Sequence, residues 1–285
     1  MSAVAQASSR RIGIVAGGGT LPFAVAASLQ QRGDQPVLLA IKGYCDPQLV
    51  SCWRHHWVNI GRLGQFLDLL RAEQCNEIVC VGSLVRPALS DIRLDWRTIR
   101  AMPSLMAAFR GGDDHLLTGV ARILETHGVH FVGVGDVAPA LMMPEGVITR
   151  RVPDPDASRD IEKGRAVLLA TSAFDIGQAA IVVDGHVMAL EDIEGTDALL
   201  GRVARLRAER KIRAAEGRGV LVKTPKRGQD LRFDLPALGP RTIEGVANAK
   251  LAGIAVTAGR TLIAESEALV AAADQAGLFV MGLPA

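Results

Sequence analysis

Residues 11–28 read RIGIVAGGGTLPFAVAAS, and the fold is decided here. Ile12, Ile14 and Val15 are apolar and β-favouring, so the stretch opens as a short buried strand. Gly17, Gly18 and Gly19 follow without a Cβ, which lets the backbone bend sharply and approach a ligand closely. Leu21 to Gln30 is apolar and alanine-rich, and Pro22 suits a first helical turn. The stretch predicts strand, glycine turn, helix. The open N–H groups and positive dipole end of such a helix favour an anion, most often phosphate. Gly17–Gly19 is therefore the first candidate phosphate site, and a tight turn without a ligand is the other reading. A Walker A loop would end in Gly-Lys-Ser/Thr, whereas Gly19 precedes Thr20, Leu21 and Pro22. The dinucleotide fingerprint needs a glycine where Pro22 stands, so the turn is neither named loop.

The same alternation continues outward. Pro36–Ile41 and Glu77–Val81 read as further buried strands, with 57–60 as a short one between them. Leu63, Phe66, Leu67 and Leu70 recur at helical spacing. Strands alternating with helices imply a mostly parallel sheet covered on both faces, with ligands at the carboxyl ends of its strands. Gly82–Pro87 (GSLVRP) falls at that edge beside Gly17–Gly19, which makes Gly82 a backbone contact. Arg86 is a candidate phosphate contact or an ordinary surface arginine. Residues 1–135 are assigned to a Rossmann-like domain. Ala138-Pro139, Met143-Pro144 and the VPDP run at 152–155 predict a linker over 136–157. A second α/β domain over 158–285 follows. Two short strands flanking Asp184-Gly185 predict a hairpin, and hence a mixed sheet.

Composition narrows the function classes. The chain has 285 residues, a hydrophobic content of 49% and a net charge of +2, which suits two globular domains and gives no global field for nucleic acid. The basic run 202–218 (RVARLRAERKIRAAEGR) reads as a solvated helix face or a surface for phosphates. The four cysteines show no CxxC spacing, as expected of a reducing cytoplasm. The first residues lack a signal peptide's apolar core, and no run is long enough to span a bilayer. A peripheral membrane contact stays compatible with this pattern.

Chemistry-bearing residues gather in the second domain. Glu191, Asp192, Glu194 and Asp197 lie within seven residues, and Lys223, Lys226 and Asp234 within twelve. Such acids suit magnesium or manganese, and lysines offset phosphate charge. No nucleophilic cysteine, serine elbow or histidine pair appears. Phosphate chemistry is the reading these residue types favour.

Taken in order, IGIVAGGGTLP, VGSLVRP, MPSLMAAFRGGDDHLL, DIGQAAIVVDGHVMALEDIEGTDALL, LVKTPKRGQDLRFDLPALGPRTI and AGLFVMGL span Ile12 to Leu283. Together they resemble the LpxI-type UDP-2,3-diacylglucosamine pyrophosphatases of bacterial lipid A biosynthesis. The resemblance implies hydrolysis of a lipidated nucleotide sugar to UMP and 2,3-diacylglucosamine 1-phosphate, with magnesium or alternatively manganese. It implies two α/β domains with the ligand in the interdomain cleft, a homodimer, and a cytoplasmic enzyme that reaches the inner membrane peripherally. Asp234, in the block RFDLP, is implied as the metal-linked catalytic acid. Lys223 and Lys226 would stabilise phosphate charge. Gly17–Gly19 would donate N–H groups to phosphate. Gln178, Thr196 and Asp197 would bind the sugar or its phosphate, with helix capping as the rival role for Thr196 and Asp197. A non-catalytic nucleotide-sugar sensor and a nicotinamide oxidoreductase are the competing classes.

Overall fold

The computed structural model describes residues 10–84, 94–100, 113–174, 176–233 and 235–285, with only the backbone for 113–117. The chain divides into two compact units, Met1–Ala140 with Asp230–Asp234, and Leu141–Gln229 with Leu235–Ala285. Arg86, Asp175 and Asp234 lie outside the described residues.

The first unit is a five-stranded sheet. Its strands are β1 (Arg11–Ala16), β2 (Gln35–Ile41), β3 (His55–Val58), β4 (Glu77–Val81) and β5 (His130–Phe131). They lie in the order β3-β2-β1-β4-β5, and every pairing is parallel. Ile12, Ile14, Leu38 and Val79 are fully buried, which explains why these strands read as apolar runs rather than as alternation. Helix α1 (Leu21–Gln31) buries Val25, Ala26 and Leu29. Helix α3 (Leu63–Ala72) buries Leu67 and Leu70, against Leu39 and Ile78; α2 (Pro47–Val50) is a single turn between. Burying each of those leucines contributes about 2 kcal/mol. Helix α4 (Asp113–Glu125) precedes β5, and α5 (Val134–Val137) follows it. The order in which strands are added reverses between β1 and β4, the point at which an open parallel sheet offers a ligand place beyond its carboxyl ends. Gly17–Gly19 and Gly82-Ser83 stand there.

The second unit holds a six-stranded mixed sheet in the order β6-β13-β11-β9-β7-β8. Its strands are β6 (Gly146–Val147), β7 (Ala179–Val183), β8 (His186–Leu190), β9 (Val220–Lys223), β11 (Gly253–Thr257) and β13 (Phe279–Leu283). β9, β11 and β13 run parallel, while β7 pairs antiparallel with both β8 and β9. β10 (Ala237–Leu238) and β12 (Leu262–Ile263) form a separate parallel pair. Helix α6 (Pro155–Thr171) starts at Asp154, whose carboxylate accepts from Ala157 N at 2.7 Å, with Pro155 in the first turn. The predicted hairpin is present. Asp184 and Gly185 both take positive φ, as a two-residue turn requires, and buried Asp160 of α6 accepts both their N–H groups. Helices α7 (Gly195–Ala208), α8 (Pro240–Asn248) and α9 (Ser266–Gln275) complete the unit.

Two expectations change. The stretch expected as a linker over 136–157 is folded. Residues from Leu141 onward belong to the second unit, Met143 is buried in its core, and β6 pairs antiparallel with β13. Prolines there interrupt periodicity without releasing the chain from the core. The segment Asp230–Asp234, placed with the second domain on sequence, groups with the first unit. Phe233 packs edge-on against Phe131 at 4.8 Å between ring centroids, and Arg232 lies over Phe233 while pairing with Glu125 at 3.6 Å. Asp230 grips the Arg232 guanidinium at 2.7 Å, and that bond holds the Asp230 carboxyl below its usual range.

Candidate functional site

In the first unit the glycine turn is tied to the turn after β4. Gly17 N donates to Val81 O at 2.8 Å, Gly18 N donates to Ser83 O at 2.8 Å, and Ser83 N returns to Gly18 O at 3.0 Å. Gly17 and Gly18 therefore do not present their N–H groups to a phosphate, which corrects that expectation for two of the three residues. Their lack of side chains has a packing cause: a Cβ on Gly17 would meet Ser83 O at 2.6 Å. Gly82 has a φ of +103°, and its Cβ would meet the Gly17 carbonyl carbon at 2.8 Å, so no other residue fits. Gly19 differs. Its N–H takes no acceptor among the described residues, and space around its Cβ position is open. It opens directly onto the first turn of α1, whose cap residue Thr20 makes no side-chain cap bond. The Cys45 thiol donates to Ala16 O and Gly17 O beneath the turn, and burial raises its pKa.

The second unit brings three predicted residues together. Lys223 ends β9 and is only 7% exposed. Its Nζ donates to Thr196 Oγ1 at 2.8 Å. Thr196 stands in the first turn of α7, and its hydroxyl donates to Glu191 Oε1 at 2.7 Å. Glu191 Oε2 accepts the Gln178 N–H at 2.9 Å, while Gln178 O accepts from Thr224 N at 3.0 Å. The polarity of this chain is fixed, because an ammonium only donates and a carboxylate only accepts. The hydroxyl between them must accept from Lys223 and donate to Glu191. The capping role weighed for Thr196 is thereby excluded, since the α7 cap position falls at Glu194 and no side chain caps it.

Glu191 was one of four loop acids in the sequence, and nothing singled it out. It is 6% exposed, and its backbone N donates to Ala179 O at 2.8 Å. Gly177 makes the close approach possible, because a Cβ there would lie 2.4 Å from Glu191 O. Gln178 Oε1 is buried with no hydrogen-bond partner among the described residues. A buried acceptor in that state is costly and is met by a ligand's donor more readily than by nothing.

The other predicted residues are placed as follows. Lys226 lies in the turn after β9, where its backbone N–H is held by Gln229 Oε1 at 2.8 Å. Asp197 is exposed and pairs with Arg241 of α8 at 2.9 Å. The basic run is largely engaged within the unit. Arg202 reaches Leu190 O and Glu194, Arg207 reaches Ala214 O and Arg218 O, and Arg218 pairs with Asp156 and Asp184. Those two carboxylates raise the Arg218 pKa.

Comparison with known proteins agrees along the chain. The family model for the LpxI N-terminal domain matches residues 11–141, and that for the LpxI C-terminal domain matches residues 144–281. A relative from Caulobacter vibrioides (strain ATCC 19089 / CIP 103742 / CB 15), named UDP-2,3-diacylglucosamine pyrophosphatase LpxI, is 39% identical over 274 residues. The alignment covers 96% of this chain and 98% of the relative.

Proposed function

The chain belongs to the LpxI family, and on that premise we propose that it hydrolyses the pyrophosphate of UDP-2,3-diacylglucosamine to UMP and 2,3-diacylglucosamine 1-phosphate. The observation that carries this reading is identity sustained over nearly the whole of both chains. The buried Lys223–Thr196–Glu191 chain supports it from the residues upward.

Water attacks one phosphorus, the bridging P–O bond breaks, and negative charge grows on the departing phosphate. Lys223 offsets that charge from a fixed position, where a preorganised cation stabilises the transition state more than the ground state. Lys226 adds a second cation in the following turn. The N–H of Gly19, with the first turn of α1, holds a phosphate oxygen. The buried Gln178 Oε1 accepts a hydroxyl of the sugar. Thr196 acts through Lys223, Arg86 is proposed as a phosphate contact, and Asp197 as a contact to the sugar or its phosphate.

Magnesium, with manganese as its substitute, is proposed as the cofactor. Among the described residues no three His, Cys, Asp or Glu side chains gather as a metal cluster. Magnesium needs none, because one or two carboxylates with substrate phosphates and waters complete its shell. Glu191 has both oxygens engaged within the protein, and Asp234 is proposed as the ligand because the family resemblance implies it. When bound, the ion neutralises charge on the diphosphate.

The acyl chains require apolar surface. Phe174, Ile176 and Ile193 are exposed in the segments that carry Gln178 and Glu191, while Met143 is core. No described helix is long and apolar enough to cross a membrane, so access to lipid is proposed to be peripheral. A homodimer is proposed on family grounds, to be checked by light scattering.

The test is release of UMP and the acylated sugar phosphate from UDP-2,3-diacylglucosamine, with and without magnesium. Asp234→Ala is expected to abolish turnover. Retained turnover removes Asp234 from its role. Binding without turnover, under saturating magnesium, favours a sensor instead.

A further inference from the structure

We infer that Glu191 is the positioning residue of this active site: it holds no metal, and it fixes Lys223 through the Thr196 hydroxyl. The inference rests on the hydrolase reading and assigns a residue that reading does not need. Three observations carry it. Glu191 is nearly buried, and both its oxygens are taken by donors of the protein, Thr196 Oγ1 at 2.7 Å and Gln178 N at 2.9 Å. Its backbone is locked between Ala179 O and the Cβ-less Gly177. The hydroxyl it orients accepts from Lys223 Nζ at 2.8 Å.

Only a carboxylate can accept on both sides. With an amide at 191, the NH2 group would face either the Thr196 hydroxyl or the Gln178 N–H. In the first case the hydroxyl proton would lose its acceptor, and in the second one donor would oppose another and push the side chain off Thr196. Lys223 would lose its aim while keeping its charge, and a small misplacement of a catalytic group is expensive in rate.

The experiment is steady-state release of UMP by wild type, Glu191→Gln, Glu191→Asp, Thr196→Ser, Thr196→Val and Lys223→Ala, each checked for folding by circular dichroism. E191Q is expected to lower kcat by roughly 10- to 100-fold, with KM changed by less than about 3-fold. E191D recovers part of the loss. T196S, which keeps the hydroxyl, exceeds T196V, and this pair carries the test if E191Q does not fold. The E191Q/K223A double variant is no slower than K223A alone, because Glu191 acts through that lysine. Losses that multiply in the double variant overturn the inference. So does an E191Q rate restored by raised magnesium, which would make Glu191 a metal ligand. A wild type that releases no UMP overturns the hydrolase reading itself, and this inference with it. An active wild type matched by E191Q and T196V overturns this inference alone.

Discussion

Lys223 Nζ and Thr196 Oγ1 are joined by a 2.8 Å bond in which a nearly buried ammonium donates to a hydroxyl already committed to Glu191. The cation is thereby aimed before substrate arrives. Lys223→Ala is expected to lower kcat by about 10²–10³-fold, the usual cost of removing a preorganised charge donor. Lys223→Arg is expected to restore little, because a planar guanidinium cannot occupy the site of a compact ammonium. UMP release by the two variants checks both statements, and an arginine variant near wild-type rate would show that charge alone suffices.

Gly177→Ala is expected to damage stability and activity together. The new Cβ would sit 2.4 Å from the Glu191 carbonyl oxygen, and backbone cannot yield as a side chain does. Forcing the two segments apart costs about 1–3 kcal/mol and displaces Glu191. Thermal unfolding and kcat should fall in the same variant, and an unchanged melting temperature would refute the contact.

Acid sensitivity is expected from Glu73. Burial pushes this carboxyl up, but the 2.7 Å contacts from His56 and Arg54 outweigh burial and hold it below the ordinary 4.5. Above 4.5 both folded and unfolded chains are ionised there, and the full stabilisation is present. As pH falls, the unfolded chain protonates first, and the stabilisation is lost as pH passes through the lower folded value. Glu73→Gln is expected to destabilise by roughly 1–2 kcal/mol at neutral pH, with the gap to wild type closing in acid. Melting temperatures of both proteins between about pH 7 and pH 3 test the direction, and a gap that widens in acid contradicts it.

Thiol labelling should separate the four cysteines. Burial pushes Cys75 up to about 11 and Cys80 up to about 12, and it raises Cys45 as well. Thiolate is the reactive form, so these three are expected to resist alkylation near neutral pH. Cys52 is exposed and should take the first label. Peptide mass mapping of native protein treated with iodoacetamide reads this directly, and early labelling at Cys75 would be inconsistent with its burial.

Local chemistry was legible in the sequence and non-local geometry was not. The Asp184-Gly185 hairpin was legible because two-residue turns announce themselves in the residues that form them. The strand–glycine–helix opening was legible for the same reason. The N–H groups of Gly17 and Gly18 were misassigned because their acceptors, Val81 and Ser83, arrive with a strand more than sixty residues away. Glu191 stood unmarked among Asp192, Glu194 and Asp197 because its distinction lies in burial against Gly177 and in its link to Lys223, thirty-two positions on. Thr196 read as a sugar contact, with capping as its rival because hydroxyls near a helix start often cap, whereas here a neighbouring carboxylate claims its proton. Residues 136–157 read as linker because prolines mask a two-residue edge strand that shows no periodicity.

The placement of Phe233 against Phe131 bears on how the gene can be dissected. A fragment ending at residue 140 would lack the short peptide, encoded ninety codons downstream, that covers this aromatic face. Such a fragment should be poorly soluble on its own. It should be rescued by supplying that peptide in trans or by splicing it to the fragment's end.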